Sequence, residues 1–308
     1  MNRRSFLLAL AALTTACAPP HNKVVIGSKN FTEQLVLGEL LAQYLEGFSF
    51  PIERRFYMAG TYICHQALLA GRIDLYVEYT GTALEAILKH DPMTGHDRVF
   101  ERVRDEYARH FDLIVLPPLG FDNSFAMVVR GDDARRLRLR TLSAVAKYAP
   151  KWRMGVGYEF LERKDGYPGL VQTYGLRFSK PPQVMDLGLL YRALLGGQVD
   201  MIAAARTDGL IQALDLVVLD DDRNYFPPYD AIPIIGRQAL VRFPGLRSAI
   251  SHLAGRIRTD DMRRMNYAID GKHEDVRNVV SAFLATTDFD PLKIRVSERG
   301  SNRIRKEM

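Results

Sequence analysis

The chain has 308 residues, of which 47% are hydrophobic and 25% charged, the balance of a water-soluble globule and not of a disordered or membrane-embedded chain. Its formal charge of +6 drops by two once Arg3 and Arg4 leave with an export leader. The densest basic stretch, ARRLRLR at 134–140, alternates with leucine and lacks interleaved aromatics, which argues against nucleic acid as a partner.

In chain order, Arg3 and Arg4 precede an apolar run from Phe6 to Leu13. The run is far below the roughly 18 apolar residues of a membrane span and reads as a signal peptide over 1–17. Arg3-Arg4-Ser5-Phe6-Leu7 resembles a twin-arginine signal, and Ala16-Cys17 a lipoprotein cleavage site with Cys17 acylated. Only Cys64 then remains, so no internal disulfide forms. A mature chain of this length predicts two lobes.

Val24–Ile26 read as a buried strand. Asn30, with Glu33 three residues on, predicts an N-cap and capping box for a helix with Phe31, Leu35, Leu41 and Leu45 on its apolar stripe. The turn before it then lies at a strand's carboxyl end, where open α/β sheets bind ligands.

A faint repeat follows. ALLAGRIDLYVEYTG starts at Ala67 and ALLGGQVDMIAAARTDG at Ala193, 126 residues later. Each reads as a helix ended by glycine, a β-branched residue with aspartate, and a short strand. Pro117-Pro118 and Pro227-Pro228 each precede an extended crossing. The arrangement predicts an α/β fold with residues 22–123 and 231–308 as lobe one and 124–230 as lobe two.

Catalytic and metal motifs fail on spacing. Neighbours such as Cys64 and His65 diverge by about 100° on a helix and make a poor dyad. The histidines, His90 and His96 included, lack metal spacing, and Asp220–Asp222 lacks the alternation of a calcium loop. Gly155-Val156-Gly157 lacks the third glycine of a dinucleotide fingerprint. No catalytic residue, metal or cofactor is predicted. Aromatic residues do gather at strand ends and crossings: Tyr62, Tyr79, Phe125, Tyr158 and Tyr229. Such faces attract a desolvated cation.

The segments IGSKNFTEQ, GRIDLYVEYTGT, PLGFDNSFAM, FLERKDGYPGL, TDG and DLVVLDDDRNYFPPYDAIP, in this order, resemble the glycine betaine/carnitine/choline-binding proteins of osmoprotectant ABC importers. The resemblance runs from Lys23 to Asp275. It implies a periplasmic-binding-protein fold, type II-like with two hinge crossings, a solute between the lobes, and delivery to a membrane permease with its ATPase. Some relatives look like ergothioneine binders. Carried over, the cage positions are Tyr62, Phe125, Ala205 and Tyr229, with Tyr79 close by; Tyr158 is a candidate from its place near a strand end. Ala205 stands where an aromatic is common, and Arg206 stands beside it where serine is common, ahead of Thr207. These departures disfavour bare choline. Lys29 and the helix start at Asn30 are assigned to a carboxylate, with Thr82 and Asn123 adding hydrogen bonds. The expectation is an extracytoplasmic, lipid-anchored, monomeric binding protein for a betaine-like solute. An amino acid or other zwitterion is the alternative, ahead of an enzyme or a sensory lipoprotein on the same scaffold.

Overall fold

A computed structural model describes residues 22–286 and 289, the side chains of residues 159, 187 and 212 excepted. The leader and Cys17 lie outside the described residues. Ten strands follow in order: β1 (Val24–Gly27), β2 (Ile52–Arg55), β3 (Leu75–Tyr79), β4 (Leu113–Val115), β5 (Phe125–Arg130), β6 (Met154–Val156), β7 (Gln183–Val184), β8 (Met201–Ala205), β9 (Leu216–Leu219) and β10 (Ala231–Gly236). They form two five-stranded sheets of order β2-β1-β3-β10-β4 and β7-β6-β8-β5-β9.

The two sheets share one plan. In the first, β1 runs parallel to β2 and β3, while β10 is antiparallel to β3 and β4. In the second, β6 runs parallel to β7 and β8, while β5 is antiparallel to β8 and β9. The antiparallel strand of each sheet is the one reached by a crossing between sheets. The repeated Asp does the same work twice. Asp74 N–H donates to Val25 O at 2.7 Å while its carboxylate accepts from Val25 N at 2.9 Å. Asp200 makes the same pair with Arg153 at 2.8 and 2.9 Å. Each aspartate thereby fixes the start of a central strand against its parallel neighbour. Gly71 and Gly197, before them, take the left-handed backbone at φ 64° and 66°.

Val24, Val25 and Ile26 are wholly buried, as a strand covered on both faces requires. The helix Thr32–Gly47 is also covered on more than one side. Its Gly38 lies against the Phe56 ring, where an added Cβ would come within 2.8 Å. The expected stripe is therefore only part of its apolar surface, and Phe31 is instead 40% exposed. The expected cap at Asn30 is absent. Phe31 holds the N-cap position in extended backbone with no side-chain cap, and the helix starts at Thr32. Glu33, expected to close the capping box, is drawn elsewhere.

The two crossings run side by side. Asn123 N donates to Tyr229 O at 3.0 Å, and Asp122 bridges Asp230. The Asp122 carboxylate accepts from Ser124 N at 2.9 Å and Tyr229 N at 2.6 Å, one on each crossing. His96 Nδ1 lies 2.8 Å from the Asp230 carboxylate. These side chains staple the hinge. Asp221 likewise braces a turn, accepting from Tyr225 N at 2.9 Å and Phe226 N at 2.8 Å.

Candidate functional site

A cleft of about 850 Å³ lies where the two sheets and both crossings meet. The first lobe contributes Lys29, Phe31, Glu33 and Tyr79, the second Tyr158, Arg163 and Ala205, and the crossings Asn123 and Tyr229. All sit at or just after the carboxyl ends of parallel strands, or on the crossings, as the architecture dictates.

Lys29 follows β1 and is 4% exposed. Its Nζ is bonded to the carboxylate of Glu78, which is wholly buried on β3. Glu78 also accepts from Tyr79 N at 2.8 Å and Tyr76 Oη at 3.3 Å. The ammonium lies 4.9 Å from the centre of the Tyr79 ring. Lys29 thus has a resident counter-ion. Removing it would strand a carboxylate in the core. The lysine expected to meet a solute carboxylate therefore lines the cleft while already sharing its charge with Glu78.

At one end of the cleft the rings of Phe125 and Tyr229 meet edge to face, their centres 6.3 Å apart. Phe160 packs on Phe125 at 4.9 Å. The guanidinium of Arg163 lies 5.4 Å from the Phe125 centre and 5.5 Å from the Tyr229 centre. Its Nε and Nη2 donate to Asp165 at 2.7 and 2.9 Å, and Nη2 is also bonded to Tyr229 Oη. Glu85, from the opposite lobe, approaches Arg163 at 3.6 Å and accepts from Tyr229 Oη at 3.2 Å. Burial, with the charge of Asp165 behind it, pushes the Glu85 carboxyl up to about 7 against the opposing pull of Arg163. Lys164 and Asp91 make a solvent-exposed pair at 2.5 Å. This cluster joins the lobes across the cleft.

At the other end Glu33 accepts from Tyr79 Oη at 2.6 Å, Asn123 Nδ2 at 2.9 Å and Asn266 Nδ2 at 3.2 Å. Phe31 stacks near Tyr79, centres 6.4 Å apart. Thr207 donates to Asn123 Oδ1 at 2.7 Å. Burial raises the Glu33 carboxyl above its ordinary value although three side-chain donors pull the other way. Burial raises the Tyr79 phenol too, with Glu33 adding to it.

Of the residues predicted from sequence, Lys29, Tyr79, Thr82, Asn123, Phe125, Tyr158, Ala205, Thr207 and Tyr229 line this cleft. Tyr62 does not. It stands on the helix Thr61–Leu69 at 65% exposure, while its neighbours Gly60 and Thr61 face the cleft. Arg206 is also outside the lining, its Nε 4.0 Å from the Asp122 carboxylate and its carbonyl accepting from Arg263 Nε at 2.8 Å. Its Nε is buried without a hydrogen-bond partner. The sequence reading missed Phe31, Glu33, Arg163, Asp208 and Asn266 as lining residues. Arg163 and Asp208 sit in quoted segments (FLERKDGYPGL and TDG), but Asn266 reaches Glu33 from 233 positions away, with no local signal. Cys64 and His65 are both buried, and burial pushes the thiol up to about 11 and the imidazole down. That pair is inert.

The family described as the substrate binding domain of ABC-type glycine betaine transport systems matches residues 22–286. The chain belongs to this family. It is 32% identical over 285 residues to the ergothioneine transport permease/ergothioneine binding protein EgtU of Helicobacter pylori, covering 91% of this chain and 50% of that longer protein. It is 30% identical to the carnitine transport binding protein OpuCC of Listeria monocytogenes, covering 92% and 94%. A solved glycine betaine/carnitine/choline ABC transporter structure superposes with a TM-score of 0.81 at 30% identity, over 87% of this chain and all of that one. Members of the family are extracytoplasmic binding proteins that act with a membrane permease and an ATPase, and they are not enzymes. The two-lobed α/β fold expected from the sequence is the one found.

Proposed function

We propose that the chain captures a betaine-type solute, a quaternary ammonium carrying a carboxylate, in the inter-lobe cleft and presents it to its permease. The observation that carries this reading is the Arg163 guanidinium over both Phe125 and Tyr229. These faces already hold a cation, at about 0.5–2 kcal/mol per desolvated face. The solute's head takes the remaining aromatic surface of Phe125, Tyr229, Tyr79 and Tyr158. Arg163 answers the carboxylate through Nη1, which has no acceptor among the described residues, while Asp165 holds its Nε and Nη2. Thr82, Asn123 and Thr207 supply polar contacts, and Ala205 leaves room where an aromatic wall is common. Carnitine and ergothioneine, named for two relatives, are both betaines, which supports this class.

Residues 22–123 with 231–308, of which those beyond 289 lie outside the described residues, and 124–230 are the two bodies that close about the stapled crossings. Cys17 is proposed as the lipid anchor of a monomeric protein. An amino acid or other zwitterion is the second reading, favoured by the small Ala205 wall. A thermal-shift screen of quaternary amines against amino acids tests both. Stabilisation by betaines supports the proposal. Stabilisation by amino acids alone overturns it.

A further inference from the structure

Three side chains that meet at the hinge lie outside the solute cleft and carry a chemistry of their own. Among the described residues, His96, Asp122 and Asp230 bring one ring nitrogen and two carboxylate oxygens within 4.8 Å of one another. Each comes from a different element. His96 opens the helix His96–Phe111 of the first lobe, and Asp122 and Asp230 pair across the two crossings. None of the three lines the cleft. Sequence spacing hid the group, since His96 meets Asp230 across 134 residues.

The charge there is out of balance. His96 Nδ1 lies 2.9 and 2.8 Å from the two oxygens of Asp230. Burial raises the Asp230 carboxyl, His96 pulls it down, and Asp122 and Asp97 push it up again. One imidazole thus faces three carboxylates. Arg206 stands at the edge of the group, its Nε 4.0 Å from the Asp122 carboxylate and without a hydrogen bond. The carboxylate of Asp122 is also held in place: one oxygen accepts from Ser124 N and the other from Tyr229 N. Each oxygen keeps a lone pair, and outer hydrogen bonds of this kind orient metal-ligating carboxylates. The His96 side chain is 63% exposed, which gives an ion a way in from solvent and leaves the ring free to turn. Two ligands on a tetrahedral zinc ion stand about 3.3 Å apart, so the group has to contract, and rotation of this ring supplies the movement. An imidazole nitrogen beside carboxylates suits a first-row transition metal, whereas calcium and magnesium take all-oxygen sets.

We infer that His96, Asp122 and Asp230 form a binding site for one divalent transition-metal ion, which replaces the direct His96–Asp230 contact and ties both crossings to the first lobe. The site is independent of the solute in the cleft. Calorimetric titration of the mature protein, free of any affinity tag and treated with a chelator, tests it with Zn²⁺ on wild type, His96→Gln and His90→Gln. His90 serves as the control because it faces a different carboxylate, Glu106. The site predicts one zinc ion per chain, an affinity at least tenfold weaker in H96Q, and an affinity within twofold of wild type in H90Q. Zinc-edge X-ray absorption of the wild-type complex, which needs no variant to fold, is expected to show nitrogen and oxygen ligands with a single imidazole. Absence of zinc binding, equal affinity in H96Q, an equal loss in H90Q, or a shell holding sulfur or several imidazoles overturns the inference.

Discussion

Lys29 and Glu78 form an ion pair closed off from solvent, their side chains 5% and 0% exposed. A buried pair contributes little net stability, yet breaking it leaves one charge stranded, at about 3–5 kcal/mol. Lys29→Met is therefore expected to lower unfolding stability by roughly that amount, and K29M combined with Glu78→Met to recover much of it. Urea unfolding measures both. A K29M protein of wild-type stability with selectively lost carboxylate binding would return Lys29 to the role read from sequence.

The proposed partner of the solute carboxylate is Arg163. Arg163→Gln removes the guanidinium that stands over Phe125 and Tyr229. Affinity for glycine betaine is expected to fall by tenfold or more, about 1.4 kcal/mol, and affinity for choline, which has no carboxylate, by much less. Equal losses in parallel titrations contradict an anion-binding Arg163.

Gly209 of the second lobe lies against Tyr267 of the helix Thr259–Asp270, so closely that an added Cβ would lie 2.5 Å from Tyr267 Cα. The obstacle is backbone and cannot rotate away. Gly209→Ala is expected to keep both lobes folded, with its backbone φ of −65° suiting alanine, while weakening solute binding by at least tenfold. Calorimetry against a thermal melt separates the two effects. Unchanged affinity would show that this approach is not part of the bound state.

Glu85 is expected to make solute binding sensitive to pH. Its carboxyl is raised from 4.5 to about 7 in the closed cleft, chiefly by burial and then by Asp165. A carboxyl raised in one state favours that state when protonated. The stabilisation of the closed form is full below about 4.5 and is lost as pH rises through about 7. Affinity is expected to fall across that window by roughly tenfold, less than the whole shift allows because Glu85 keeps some solvent contact. Glu85→Gln should flatten the profile. A profile identical in wild type and E85Q removes Glu85 from the coupling.

Much of this was legible in the sequence because the signals were local. The paired ALL-G-x-x-D units foretold two like sheets, since glycine and aspartate act within a few residues of each other. Paired prolines marked the crossings for the same reason. The charge pairing was not legible. Lys29 meets Glu78 across 49 residues, and Glu33 meets Asn266 across 233. Sequence distance hides which carboxylate a cation faces. Glu33 looked like a capping residue at three-residue spacing, but burial beside Tyr79 and Asn123 overrode that local preference. Tyr62 shows the converse: the right residue type on the right helix, turned to solvent.

A crystal structure with saturating betaine tests the central claim most directly. The account predicts one solute molecule in the cleft, its positive head against the Phe125 and Tyr229 rings and its carboxylate on Arg163. A cleft left empty at saturation, or a solute lodged elsewhere with Phe125, Tyr229 and Arg163 untouched, would contradict it.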